Sequence, residues 1–290
     1  MVAHLPVAAS GAYVSAQLTP GQALKLIPGF SRSPCRHEIL LGGLTNRSFR
    51  VESADGTFVL RLDDEHTAGL GLSRDAELKA RAAAFEEGLA ARVVFADVRQ
   101  GILLSEYIVG DVWTAEHLKK PENLVVVAEL IGAVHALPML GQRFDANRAA
   151  QRYVDNLIDR PGLHRFAESC QQIIRLIPAV EYFRCCHNDV TAGNIVEGEG
   201  LTLLDWEYAL DNDPMFDLAA VIGYHDLDSA QSEILLDAYT GGSNLRQREH
   251  LRNQIRLFDA IQWLWTATRQ RLRQDSSLEA RMEQLQQRLS

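Results

Sequence analysis

The sequence predicts an α+β fold of two lobes: a small antiparallel-sheet N-terminal lobe over residues 1–109 and a mostly helical C-terminal lobe over 110–290. Three observations predict it. Short apolar segments separated by glycine-containing turns crowd into residues 38–107, as in successive hairpins. From Pro121 onward the apolar residues recur at helical spacing. A chain of 290 residues, 47% apolar and 23% charged, can bury a core without disulfides.

Residues 1–30 read as a leader or short packed arm, in which Thr19-Pro20 is placed to start a helix. The stretch Glu38 to Val51 is apolar, then glycine-rich, then alternating, and predicts strand, tight turn, strand. Asp55-Gly56 marks a second turn, and Thr57 to Leu62 a third strand. A loop with Gly69 and Gly71 follows. Ser73 then caps a helix from Arg74 to about Leu89 that is rich in good helix formers. Val93–Val98 and Ile102–Tyr107 form two more strands around Gly101. In the second lobe, Leu124–Leu137 predicts a core helix. Residues 148–177 predict one or two helices broken at Pro161-Gly162. Cys185–Ala209 reads as strand and loop, and helices run from about Asp217 to the charged tail.

The composition excludes several classes of function. Lys and Arg number 29 against 38 Asp and Glu, a formal charge of −9. That argues against a nucleic-acid partner, which needs a basic face to displace counterions. The longest apolar stretch, Leu124–Leu140, is interrupted by Glu129 and His135, so no membrane span is expected. Cys35, Cys170, Cys185 and Cys186 form no metal-binding spacing, and are expected as free thiols in a reducing cytoplasm.

The chemistry is concentrated in Cys186-His187-Asn188-Asp189-Val190-Thr191-Ala192-Gly193-Asn194. Eleven residues after Asn194 comes Asp205, at the end of the apolar pair Leu203-Leu204. His-x-Asp-x4-Asn followed by apolar-apolar-Asp is the spacing of a phosphoryl-transfer catalytic loop and its metal-binding carboxylate. In-line transfer needs a carboxylate to take the proton of an alcohol, here Asp189. It also needs hard oxygen ligands for Mg2+, here Asn194 and Asp205. His187 is expected to brace the loop. Near the N-terminus, Gly42-Gly43-Leu44-Thr45-Asn46 lets the backbone approach phosphates closely and reads as a nucleotide lid. Arg61 on the third strand and Glu77 on the next helix stand in the order of a phosphate-contacting cation and its carboxylate partner. Glu106 and Ile108, flanking Tyr107 where the first lobe ends, are placed to offer backbone groups to adenine.

With Asp205-Trp206-Glu207-Tyr208 and Asp213-Pro214-Met215-Phe216-Asp217-Leu218-Ala219, these motifs resemble the choline/ethanolamine kinase family. That family lies within the aminoglycoside phosphotransferase group and has a protein-kinase-like fold. The similarity extends over roughly residues 35–270. It implies ATP-dependent phosphorylation of a small cationic alcohol, choline or ethanolamine, with ATP and Mg2+ as cofactors. It implies Asp189 as base and Asn194 and Asp205 as metal ligands. The substrate-facing candidates are Glu207, Tyr208, Tyr224, Asp226 and Trp265, since a quaternary ammonium is held by aromatic faces and nearby carboxylates. Two departures stand out. The family's late Trp-x-x-Trp is here Trp263-Leu264-Trp265, with Gln262 at the first position. Tyr224 stands where the family often carries Glu. Thiamine kinase and aminoglycoside or sugar phosphotransferases are the enzymatic alternatives. A nucleotide-binding pseudokinase module is the non-enzymatic one, and the presence of the base and both metal ligands argues against it.

Overall fold

The computed structural model describes residues 18–30, 35–40, 46–64, 70–272 and 275–290. The predicted leader up to residue 17 and the lid residues Gly42, Gly43, Leu44 and Thr45 lie outside the described residues. The first described element is helix α1 (Pro20–Leu26), started as expected by Thr19, whose side chain and Gln22 cap each other's backbone. A five-stranded antiparallel sheet follows: β1 (Arg36–Leu40), β2 (Asn46–Ser53), β3 (Gly56–Asp63), β4 (Val93–Asp97) and β5 (Ile102–Glu106), in the order β1-β2-β3-β5-β4. Helix α2 (Arg74–Glu86) is inserted between β3 and β4.

Strand alternation decides what each face of this sheet does. Phe49, Val51, Phe58, Leu60, Leu62 and Leu104 pack against Ala23, Leu24 and Ile27 of the first helix. Arg61, between Leu60 and Leu62, therefore points to the opposite face, toward α2 and the second lobe. Strand β1, Arg-His-Glu-Ile-Leu, is an exposed edge strand, and even its apolar Ile39 is 58% exposed.

The second lobe runs β6 (Asp111–Val112), α3 (Ala115–Leu118), α4 (Pro121–Ala136), α5 (Ala146–Asn156), α6 (Pro161–Leu176), β7 (Arg184–Cys186), β8 (Ile195–Glu197), β9 (Leu201–Leu203), β10 (Leu210–Asn212), α7 (Met215–His225), α8 (Ser229–Thr240), α9 (Leu245–Leu272) and α10 (Ser276–Leu289). Pro161 sits in the first turn of α6, where its missing N–H costs nothing, so the break near it becomes a clean boundary between two helices. The predicted strand-and-loop region is three-residue strands that, with the two-residue β6, form two small sheets, β10-β7 and β6-β8-β9. Two apolar clusters support it. One surrounds Leu124, Val127, Ile131 and Val134 of α4. The other surrounds Phe258, Trp263 and Leu264 of α9, packed on α5, α6 and α10. Among the described residues no helix is long and apolar enough to cross a membrane, and Cys170, Cys185 and Cys186 are buried free thiols.

Candidate active site

The loop between β7 and β8 carries the predicted motif, and its shape is set by α7. Asp217, in the first turn of that helix and fully buried, accepts the backbone N–H of His187 at 2.9 Å and of Asn188 at 2.6 Å. His135 at the end of α4 bonds the same carboxylate at 3.0 Å and Tyr239 with its other nitrogen. Asn188 adopts a left-handed backbone with φ 63°, sparsely populated outside glycine and asparagine. Its side-chain amide donates to the Tyr208 carbonyl and accepts from Asn212, which offsets the cost. The turn thus presents Asp189 to the cleft. His187 is buried, and its Nε2 donates to the Leu204 carbonyl at 2.8 Å. Burial lowers its pKa, so the ring is neutral and acts as the brace the sequence suggested.

Three predicted residues converge there. Asn194, in a single 3-10 turn over Ala192–Asn194, donates its amide to Asp189 Oδ2 at 3.1 Å and to the Asp189 carbonyl at 2.9 Å. Its backbone carbonyl accepts from Leu204 at 2.7 Å, which ties it to the strand end that delivers Asp205. Asp205 itself is left-handed, with φ 56° and ψ 62°. A strained non-glycine backbone at such a position is the usual mark of a functional residue.

The fit of this cluster to a divalent cation can be tested on its donors. With its amide nitrogen turned to Asp189, Asn194 offers an oxygen that takes no hydrogen bond from the described residues. The Asp205 carboxylate likewise accepts none. Burial pushes the Asp189 carboxyl up to about 8, with the Asp205 charge the next cause. Burial and the Glu207 charge push Asp205 up too. The Asp205 carboxylate without a described donor, crowded against the Asp189 carboxylate and with an amide oxygen beside it, is hard-oxygen chemistry suited to Mg2+.

Across the cleft, Arg61 makes a two-pronged bond to Glu77 at 2.5 and 2.9 Å, the pairing expected from their order. Burial opposes both charges, and the pair outweighs it: Arg61 is raised and Glu77 is lowered to about 2. Arg74 extends the network to Asp63 at 2.8 Å, Glu77 at 2.8 Å and Glu207 at 3.3 Å. Asn46, the described end of the predicted lid, donates to Glu207 at 2.5 Å. Glu207, predicted to face the acceptor, is thus engaged in charges that join the two lobes. Glu106 lines the cleft, but its side chain is paired with exposed Arg92 at 2.6 Å. Ile108 lines the cleft as well.

The cleft between the lobes has a volume of about 780 Å³, ample for a nucleotide and a small acceptor. One part of its lining is aromatic, with Phe144, Tyr153, Tyr208, Tyr224, Phe258 and Trp265. The two tryptophans separate as their spacing requires. Trp263 is 1% exposed in the core, while Trp265 donates from its indole to the Tyr208 hydroxyl at 2.8 Å. Tyr224 donates to Asp189 Oδ1 at 2.7 Å. Asp226 is not brought to the cleft, because its carboxylate pairs with Arg281 and Arg288 on α10 at 3.5 and 3.1 Å. Among the described residues, two charged cleft residues went unanticipated. Arg81 lies one helical turn beyond Glu77 beside the buried stripe Ala76, Ala80 and Ala84, a placement that could have flagged it. Arg152 comes from α5, far from any motif.

An antiparallel sheet over a helical lobe, with a base, an amide and a carboxylate gathered in the cleft between, defines a kinase-like phosphotransferase. The chain belongs to the phosphotransferase enzyme family, whose sequence profile matches residues 37–252. It is similar to Protein LicA of Haemophilus influenzae, 25% identical over 254 residues, with 79% of this chain and 72% of that protein covered. A crystal structure of a choline/ethanolamine kinase family protein from Mesorhizobium loti shares its fold. Its TM-score is 0.70 at 24% identity, with 93% of this chain and 92% of that one covered. The choline kinase LicA from Streptococcus pneumoniae does so with a TM-score of 0.73 at 23% identity, covering 87% and 94%.

Proposed function

We propose that this chain transfers the γ-phosphoryl group of ATP to the hydroxyl of a small alcohol, with choline or ethanolamine as the acceptor. The observation that carries the proposal is a pair of oxygens, Asn194 Oδ1 and the Asp205 carboxylate, that take no hydrogen bond from the described residues and sit beside Asp189 in one cleft. A structure of LicA in complex with AMP, similar in fold at TM-score 0.70, supports a nucleotide in this cleft.

In this reading Asn194 and Asp205 would hold Mg2+, which when bound would supply positive charge to neutralise the phosphates. Asp189 accepts the acceptor's proton as the hydroxyl attacks. Asn194 fixes the orientation of that carboxylate, and Asp217 fixes the backbone beneath it. Arg61, held straight by Glu77, meets phosphate oxygens from the sheet side. Most of the rate then comes from positioning and fixed charge. The aromatic wall offers ring faces to a cationic head group.

One observation favours a second reading. Arg152 lines the cleft with its Nε buried, and among the described residues that nitrogen has no partner and no carboxylate hydrogen-bonds the guanidinium. A fixed cation beside the acceptor suits a neutral sugar hydroxyl better than a cationic alcohol. Coupled ADP release measured across choline, ethanolamine, thiamine, aminoglycosides and simple sugars decides between them. Turnover with choline or ethanolamine supports the first reading, and turnover with sugars alone supports the second. No ADP release with any alcohol, alongside clear ATP binding, contradicts both.

A further inference from the structure

Tyr224 does more than line the cleft. Its ring is clamped edge-to-face on Phe258, with centroids 5.0 Å apart. Its hydroxyl lies 2.7 Å from Asp189 Oδ1 and 3.2 Å from Gln262 Oε1. A phenol has one proton to donate, so it serves one of these oxygens at a time. The shorter contact is to the ionisable carboxylate, the stronger acceptor. Asn194 already donates to Oδ2. Both oxygens of the base are therefore hydrogen-bonded before any acceptor arrives.

An acceptor alcohol must donate its own O–H to Asp189 to be activated. We propose that Tyr224 guards the base. Its hydroxyl occupies Asp189 Oδ1 while the acceptor space is empty. It turns to Gln262 Oε1 when an alcohol takes its place. Gln262 is the resting point that makes the exchange inexpensive, because the phenol proton keeps a partner in both positions. Water entering the cleft with ATP bound meets a base already engaged, and it lacks the carbon skeleton that would seat an alcohol against the aromatic wall. The device suppresses futile ATP hydrolysis and couples turnover to the acceptor.

This inference rests on the phosphotransferase reading above, and the test separates the two. The full chain with Mg-ATP is assayed for ADP and for phosphorylated alcohol, as wild type, Tyr224→Phe and Gln262→Leu. Tyr224→Phe keeps the ring and its packing but removes the donor. It is expected to raise acceptor-independent ADP release about fivefold and to lower the ratio of phosphorylated alcohol to ADP. Gln262→Leu removes the alternative partner and leaves the tyrosine on the base. It is expected to raise the acceptor KM by about the same factor and to lower acceptor-independent ADP release. Opposite movements of basal hydrolysis are a signature that simple loss of packing does not give. Wild-type transfer combined with unchanged basal hydrolysis in Tyr224→Phe overturns the guard and leaves the kinase reading standing. Movement of basal hydrolysis in the same direction in both variants overturns it too. Failure of the wild type to phosphorylate any alcohol overturns the kinase reading itself.

Discussion

Asp189 sits in surroundings that serve chemistry better than stability. Burial and the nearby Asp205 charge raise its carboxyl to about 8, above its unfolded value, so its charge opposes folding near neutral pH until a cation joins it. Asp189→Asn is therefore expected to melt at or above the wild-type temperature in metal-free buffer. The same variant should lose at least about a hundredfold in acceptor phosphorylation. Calorimetry and an activity assay on one preparation check both halves, and a large loss of stability would contradict this account of the site. At this scale the sequence showed which residues meet, since Asp189, Asn194 and Asp205 line one cleft. His187, Asp189, Asn194 and Asp205 were read from spacing, because phosphoryl transfer demands fixed residue types at fixed separations. Asp226 was misplaced for the converse reason: an acidic residue one turn beyond a motif has no spacing rule, and here two arginines of α10 capture it.

Helix α7 is the element on which the site is built. Its start supplies Asp217 to the catalytic loop, and its end supplies Tyr224 and His225. His225 accepts the Ala192 backbone N–H at 3.1 Å through Nε2, which requires that nitrogen to be unprotonated. Burial lowers its pKa to about 4, below the ordinary value of 6.5. The folded state thus binds this proton less readily than the unfolded chain. The associated stability is present above about pH 6.5 and is lost as pH falls toward 4, by about 3 kcal/mol at full titration. Denaturant melts of wild type and His225→Gln between these limits test it: the wild type should lose its advantage on acidification. The helix also needs Gly223, since a Cβ there would collide with the Phe258 ring of α9. Gly223→Ala should cost about 1–3 kcal/mol by overpacking. It should also raise the acceptor KM, because α9 carries Gln262 and Trp265; thermal melts and steady-state kinetics check the two effects. Element types were mostly legible from periodicity and from caps such as Thr19 and Ser73. The exposure of β1 was not, because the apolar pair Ile39-Leu40 at its end does not say whether the strand lies at a sheet edge.

At the scale of the whole molecule, the two lobes are joined by charge as well as by chain. Asn46 from the sheet, Arg74 and Glu77 from α2, and Glu207 from the second lobe form one buried network. Removing one partner of a buried pair leaves the other uncompensated, so Glu77→Gln should cost about 3–5 kcal/mol and weaken ATP binding together. Differential scanning calorimetry with and without Mg-ATP measures both. The network was half legible: Arg61 and Glu77 were ordered like a known pair, but Arg74 and Glu207 meet only through folding, across 133 positions of sequence. The net charge of −9 likewise acquires a place, since Asp189, Asp205 and Glu207 all face the cleft. Those carboxylates and the oxygen of Asn194 underlie the central claim, that Asp189 activates an alcohol for attack on Mg-bound ATP. The most direct test is to incubate the full chain with choline or ethanolamine and ATP labelled in the γ-phosphate, with and without Mg2+, as wild type and Asp189→Asn. The account predicts label in the phosphorylated alcohol only with wild type and metal. Label transferred equally well by Asp189→Asn, or by the wild type after complete metal removal, would contradict it.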